Sequence, residues 1–358
     1  MNNKQKLGQF MTTNYEYILQ NMFIPSNIKK IIEPFAGNKD LIKFIKNKSN
    51  YIITCYDIDP KKKNVITQNT LITPPDYTNS FIITNPPYYA RNKCTDKAIF
   101  DKYNVNDLYK CFIMEIINNV CLGGIIIIPI NFWSSIRKND IKLRKQFLQK
   151  YDVHILNIFE ETVFDDTTST VCSMQFELKC TDSIHEIKIT FYPSKKVLLT
   201  DLNMENNFII GGNIYNLGKH SNYNVCRLTK NNKNSQYTNI LAKCIDDNSD
   251  NMISLKYVSN DEIYIDNTPN LSSRTYASLI ITPKISKSLQ KILVKKFNKL
   301  LNKYRKKYNS MFLTNYRESK DIARKRISFD LVYNLVKHIL NELENSCKNI
   351  FITHTHIP

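Results

Sequence analysis

The sequence predicts an α/β fold, a doubly wound mixed sheet followed by a second, basic region. Through residues 1–190, short β-branched runs alternate with segments of helical spacing, the pattern of strands joined by crossover helices. Two of the runs, Gly124 to Ile130 and Val153 to Phe159, are almost wholly apolar, as strands buried on both faces are. Beyond residue 190 the alternation stops and lysine accumulates.

Taken in order, Ile28 to Phe35 is the first strand, ending at Gly37, and Asp40 to Lys46 reads as a helix. Tyr51 to Ile58 is the second strand, closed by Pro60 and Lys61-Lys62-Lys63. Phe81 to Thr84 is the third, stopped by Asn85-Pro86-Pro87. Asp107 to Leu122 sets Leu108, Phe112, Ile116 and Val120 at helical spacing behind a cap at Asn106 or Asp107. The two apolar runs follow, and Val171 to Leu178 alternates as a strand does. Residues 195–270 show no clear period. Lys284 to Tyr308 then carries Ile285, Leu289, Ile292, Leu293, Phe297, Leu300, Leu301 and Tyr304 on one helix face with lysines opposite. A second helix is predicted from about Asp321 to Leu343, and the domain boundary is placed between residues 190 and 191.

Composition narrows the class. The 358 residues carry 50 Lys+Arg against 32 Asp+Glu, a formal charge of +18. No apolar run approaches the roughly 20 residues of a membrane span, and no signal peptide opens the chain, so a cytoplasmic protein without membrane attachment is expected, in a bacterial cell or a virus-infected host cell. Nine cysteines without a C-x-x-C pair argue for reduced thiols in the core, and no metal site is expected. Between Lys284 and Arg326 stand 15 basic residues and two acids, Glu318 and Asp321. A stripe of this kind is the footprint of a polyanion-binding surface, or else a solvated lysine-rich face from an AT-rich coding sequence.

The strand ends carry the chemistry, because ligands of open α/β sheets sit at the carboxyl ends of the strands. Gly37, one of only seven glycines, follows the first strand, where the backbone must turn and let a ligand approach. No G-x-G-x-x-G is present, so a dinucleotide cradle is not supported. Asp57 ends the second strand, where a carboxylate suits a ribose diol. Asn85-Pro86-Pro87-Tyr88 ends the third. Its amide oxygen and the Pro86 carbonyl can accept two hydrogen bonds from one planar NH₂ group, and Tyr88 offers a ring face for stacking. The competing reading of this tetrapeptide is a strand-stopping turn with Tyr88 as packing.

With these residues the chain resembles the S-adenosylmethionine-dependent DNA adenine-N6 methyltransferases of type II restriction–modification systems, in the group whose cofactor motifs come first and whose target recognition comes last. The resemblance covers residues 6–180 by motif. Lys6 to Thr13 is similar to the family's N-terminal cofactor segment, Glu33 to Leu41 to its glycine loop, Asp57-Ile58 to its ribose and adenine contacts, and Asn85 to Tyr88 to its catalytic motif. Val163-Phe164 stands where the family places a second aromatic beside the target base. Two positions depart from the pattern: Asn38-Lys39 replaces a second glycine, and Asn69-Thr70 replaces an acid that the family commonly has after the third strand, near the cofactor's adenine amine.

The resemblance implies a seven-stranded methyltransferase sheet over 1–190 and a target-recognition domain over 191–358. It implies S-adenosylmethionine as cofactor, held by Phe10, Thr12, Glu33, Phe35, Ala36, Gly37, Asp57, Ile58 and Asn85. Catalysis is implied for Asn85, Pro86, Pro87, Tyr88 and Phe164, with the last two holding a flipped base. Double-stranded DNA is the implied partner, met by Lys303, Arg305, Lys306, Lys307, Arg324, Lys325 and Arg326 of the basic stripe. A monomer is expected, with a companion restriction endonuclease acting separately. An RNA-adenine or protein-glutamine methyltransferase, or a non-catalytic DNA-binding relative, is the alternative.

Overall fold

The computed structural model describes residues 12–164, 170–180, 186–247, 251–267, 275–318 and 323–354, and for 315–318, 323–324 and 347–354 the backbone alone. Among the described residues no helix is long and apolar enough to cross a membrane. The chain divides into two compact units, the main segment of the first ending at Leu202.

The first unit is built on a mixed sheet of nine strands: β1 (Lys30–Glu33), β2 (Ile52–Asp57), β3 (Ile66–Thr67), β4 (Ser80–Thr84), β5 (Gly123–Pro129), β6 (Tyr151–Phe159), β7 (Val171–Leu178), β8 (Ile187–Tyr192) and β9 (Lys196–Thr200). They lie in the order β3-β2-β1-β4-β5-β7-β6-β8-β9. β1 pairs in parallel with both β2 and β4, so the chain leaves the middle of the sheet in one direction and returns on the other side. The carboxyl ends of β1 and β4 therefore flank the topological switch point. β7 runs antiparallel between β5 and β6.

The sheet is covered on both faces, which explains its continuous apolar strands. Ile125 and Ile127 pack with Ile18 of a short helix, α1 (Tyr15–Ile18), with Leu19 just after it, and with Leu41 and Ile42. Ile126 and Ile128 point the other way by the two-residue period. On that face lies Phe176, opposite Gly124, and Phe147 packs on it with ring centroids 5.4 Å apart. A Cβ at Gly124 would sit 2.5 Å from the Ile82 carbonyl oxygen, so only glycine lets β4 approach there.

The crossover helices are α2 (Ala98–Tyr103), α3 (Leu108–Asn118), α4 (Asn131–Ser134) and α5 (Lys138–Lys150). α3 starts after Asp107, which stands at the N-cap position without a capping hydrogen bond from its side chain. The Asp40–Lys46 helix shrinks to one 3₁₀ turn, Leu41–Phe44, because Asp40 turns to Lys43 at 2.7 Å rather than capping, and Asn47 takes a left-handed conformation. The expected seven strands become nine: β8 pairs in parallel with β6, and β9 returns on β8. β8 lies across residue 190, and the main segment of the first unit runs to Leu202.

Three fully buried polar side chains on β6 and β7 serve the segment around α1. Ser173 donates to the Ile18 carbonyl at 2.6 Å, Asn157 to the Gln20 carbonyl at 2.9 Å, and Gln175 accepts from the Phe23 N–H at 3.0 Å. A coil laid over a sheet has no ladder partners, and these side chains supply them.

The second unit combines a four-stranded antiparallel sheet, β10 (Asn224–Arg227), β11 (Ile240–Lys243), β12 (Ser254–Tyr257) and β13 (Tyr276–Thr282), with α6 (Lys287–Tyr308) and α7 (Phe329–His354). Between the helices runs a two-stranded sheet, β14 (Thr314–Glu318) and β15 (Ala323–Arg326). α6 begins where Ser286 accepts from the Leu289 N–H at 3.2 Å, and buries Leu293, Phe297 and Leu301. The second helix starts at Phe329 rather than Asp321: β15 is paired, and Ser328 accepts from the Leu331 N–H at 3.2 Å to cap α7.

Candidate active site

The loop after β1 is shaped by hydrogen bonds to the end of β2. Ala36 N–H donates to the Tyr56 carbonyl at 2.8 Å, and Gly37 N–H donates to Asp57 Oδ2 at 2.7 Å. The other Asp57 oxygen accepts from the Asp59 N–H at 2.8 Å. Asp57 is only 3% exposed, and each of its oxygens holds one backbone donor with a further lone pair remaining. Gly37 adopts φ +47°, which a residue with a side chain rarely adopts.

Both departures from the family pattern have a local account. Lys39 itself takes φ +61° and closes the loop, its N–H 2.6 Å from the Ala36 carbonyl, so no second glycine is required for the turn. Thr70 is buried and donates to the Pro34 carbonyl at 3.1 Å, tying the segment after β3 to the β1 exit. In sequence Thr70 is legible only as a departure; its role in the loop carries no signal there.

Glu33 is 1% exposed, with the Cys55 thiol 3.9 Å from Oε2, and it makes no ion pair among the described residues. Burial pushes its carboxyl well above the usual carboxylate range; Lys39 opposes the shift while Asp40 and Asp57 add to it. Phe35 meets Phe112 edge to face at 5.2 Å, Ala36 is buried, and Ile58 keeps 49% of its surface at the end of β2. Phe10 lies outside the described residues.

Asn85 leaves β4 one residue after the ladder to β5 ends at Thr84. Its Nδ2 donates to Thr12 Oγ1 at 3.1 Å, and its Oδ1 accepts from the Tyr88 hydroxyl at 2.5 Å. No described residue donates to the Pro86 carbonyl. Tyr88 also reaches the Ile127 carbonyl at 2.9 Å and meets Tyr109 edge to face at 6.1 Å. Burial holds its phenol well above the ordinary tyrosine range. The expected stacking platform is therefore a half-buried ring whose hydroxyl engages the Asn85 amide.

The turn is closed from behind by Asp107. Its Oδ1 accepts from the Tyr89 N–H at 3.1 Å, while Leu108 N–H donates to the Tyr89 carbonyl at 3.2 Å. Burial raises the Asp107 carboxyl to about 6, against the lowering effect of Lys110 and of the backbone N–H groups it accepts. Asp107, expected as a helix cap, is the clamp of this turn. Phe164, expected as an open wall beside a target base, is 4% exposed and belongs to the core cluster with Phe159 and Val171.

In the second unit Lys303, Lys306 and Lys307 are exposed on α6, with Lys307 5.0 Å over the Tyr308 ring. Arg305 is not among them: it is 8% exposed, and its guanidinium grips Asp246 at 2.8, 3.1 and 3.2 Å. It follows Leu293, Phe297 and Leu301 at four-residue spacing, which turns it inward. Lys325 and Arg326 are half-buried on β15, and the side chain of Arg324 lies outside the described residues. Among the described residues no group of three His, Cys, Asp or Glu side chains gathers as a metal set. Five of the thiols, Cys55, Cys111, Cys121, Cys172 and Cys244, are buried.

No protein-family model and no curated protein sequence matches the chain. Among solved structures it is similar to the type I restriction-modification system methyltransferase subunit from Streptococcus thermophilus, at 12% identity and a TM-score of 0.41, over 56% of this chain and 52% of that one. It is also similar to the type IIG restriction endonuclease BpuSI, at 12% identity and a TM-score of 0.38, over 62% and 36% of the two chains. The type IIL restriction-modification enzyme MmeI in complex with DNA matches at 13% identity and a TM-score of 0.35, over 60% and 38%. The matched part thus spans about half or less of those proteins' own length.

Proposed function

We propose that the chain is an S-adenosylmethionine-dependent DNA methyltransferase that modifies N6 of an adenine flipped out of duplex DNA, at a short site of a type II restriction–modification system. The observation that carries this reading is the pair of acceptors at the end of β4: Asn85 Oδ1, and beside it the Pro86 carbonyl, to which no described residue donates. Two acceptors one residue apart suit the two hydrogens of an exocyclic amine.

The residues at the strand ends fit the cofactor. Asp57 retains a lone pair on each oxygen for the two hydroxyls of a ribose. Glu33 is a buried carboxyl without an ion pair among the described residues, only Lys39 acting on it from a distance, and an ammonium group would favour its ionised form. Ile58 and Phe35 supply apolar surface for a purine. Bound there, the cofactor supplies a methyl group activated by its sulfonium.

The chain then has to prepare the amine. Its lone pair is conjugated with the adenine ring and is a poor nucleophile until the nitrogen becomes tetrahedral. Asn85 Oδ1 and the Pro86 carbonyl, accepting one hydrogen each, favour that geometry increasingly towards the transition state. Fixing the amine in line with the methyl adds the orientation effect, and no strong base is required before attack. The exposed lysines of α6 are assigned to phosphates, with polar residues elsewhere in 195–330 reading bases.

Incubation with methyl-labelled S-adenosylmethionine and duplex DNA, RNA or protein tests the proposal. Label recovered as N6-methyladenine in duplex DNA is the expected result. Label confined to RNA or to glutamine would move the same turn to another planar NH₂ substrate, and DNA binding without transfer would leave a non-catalytic relative.

A further inference from the structure

The family resemblance implies a cofactor contact for Thr12; its geometry points to a different task. Thr12 is 4% exposed, and its hydroxyl oxygen accepts from Asn85 Nδ2 at 3.1 Å. The segment that carries it is anchored three times to β6 and β7, through Ser173, Asn157 and Gln175, and a fourth time by Asn21, whose Nδ2 lies 2.8 Å from the Tyr192 hydroxyl. The hydroxyl of Thr12 is thus presented to the end of β4 by a segment fastened to the far strands of the same sheet.

An asparagine amide is nearly symmetric in shape, and half a turn about its last side-chain bond exchanges an acceptor for two donors. On the reading proposed above, that exchange would face an NH₂ group with another NH₂ group. In this structure the amide is bracketed, with Nδ2 on Thr12 and Oδ1 towards the Tyr88 hydroxyl. We propose that Thr12 is a positioning residue for Asn85: it holds the amide in place at the end of β4, where Oδ1 can be offered to the amine, and it does so without acting on the methyl donor itself. Because the amide oxygen has two lone pairs, it can accept from Tyr88 and from an amine hydrogen together.

Thr12→Val keeps the shape and removes the acceptor; Thr12→Ser restores it. The Val variant should lose about ten-fold or more in single-turnover methyl transfer, the scale of one misdirected transition-state hydrogen bond, with cofactor affinity unchanged. The Ser variant should recover most of the rate. A loss that lies wholly in cofactor affinity, or an unchanged transfer rate in the Val variant, overturns the proposal. The side-chain amide resonance of ¹⁵N-labelled Asn85 separates this idea from the methyltransferase reading on which it rests. If the resonance moves in Thr12→Val and returns in Thr12→Ser while the parent protein transfers no methyl group, the reading of function fails and the positioning contact stands. If the resonance does not move in Thr12→Val, the contact is absent, whatever the substrate.

Discussion

Asp57 holds Gly37 and Asp59 by their backbone N–H groups while remaining able to accept from a ribose, so one side chain both shapes the loop after β1 and meets what lies in it. Asp57→Ala should weaken cofactor binding by about 1–3 kcal/mol, the range for losing a charge-assisted hydrogen bond. An unchanged dissociation constant by titration calorimetry would reduce Asp57 to a loop anchor. Asn85 works on the other reactant. Asn85→Ala should bind the cofactor like the parent and lose about 10²–10³ in transfer rate, as removal of a single transition-state donor or acceptor does elsewhere. The Tyr88 hydroxyl still has the Ile127 carbonyl in that variant, so the turn keeps its inner contact. Equal single-turnover rates would remove the mechanism. These two positions are legible in sequence because each ends a β-branched run with a polar residue that the strand itself does not need. Thr12, Thr70 and the rear of Asp107 are not, since their partners lie 73, 36 and 18 residues away and only the sheet order brings them together.

The turn that carries Asn85 is fastened to the N-terminus of α3 through Asp107, and this connection titrates. Its carboxyl is raised to about 6, so the folded state binds that proton more tightly than the unfolded chain does. The group's contribution to stability is therefore complete below about pH 4 and is lost as pH rises through about 6. Asp107→Asn keeps an acceptor for Tyr89 and a residue type favoured at the N-cap position, without the buried charge. Urea unfolding should therefore show the variant gaining on the parent between pH 4 and pH 7.5, by up to about 3 kcal/mol. The same difference at both pH values would show that Asp107 is solvated in solution. Helices built on polar contacts are the elements that sequence patterning misses. α5 escapes it because its buried face is Asp140, Leu143, Arg144 and Phe147, two of them charged. Asp140 pairs with Lys110 at 2.6 Å, and Arg144 donates to the carbonyls of Phe132 and Ser135 at 2.6 and 2.7 Å, so a polar lattice takes the place of an apolar stripe. α7 differs from expectation for the opposite reason. Its apolar spacing is plain in sequence, but its start is fixed by Ser328, one polar residue among several that could cap it.

At the scale of the whole molecule, the excess of positive charge divides into cations that hold the second unit together and cations that face outward. Arg305 belongs to the first kind, and its place is readable from the four-residue step Leu293, Phe297, Leu301, Arg305. Arg305→Ala should leave the Asp246 carboxylate buried without its cation and cost about 3–5 kcal/mol of stability. A melting temperature within error of the parent would show that Asp246 finds another partner. Lys303, Lys306 and Lys307 belong to the second kind, exposed on α6. If they meet phosphates, neutralising all three to Gln should weaken DNA binding, leave the methylated sequence unchanged, and flatten the dependence of log K on log salt by about 0.9 for each phosphate no longer neutralised. Stability should change little, because substitutions of exposed side chains away from special features stay within about half a kcal/mol. The two variants thus cross: one should unfold the unit without touching the salt slope of what remains folded, the other should change the slope and spare the fold. A triple variant with the parent's affinity and slope would make the stripe a solvated helix face, and the polyanion would have to be met elsewhere. A triple variant that methylates a different sequence would place base reading on α6 itself.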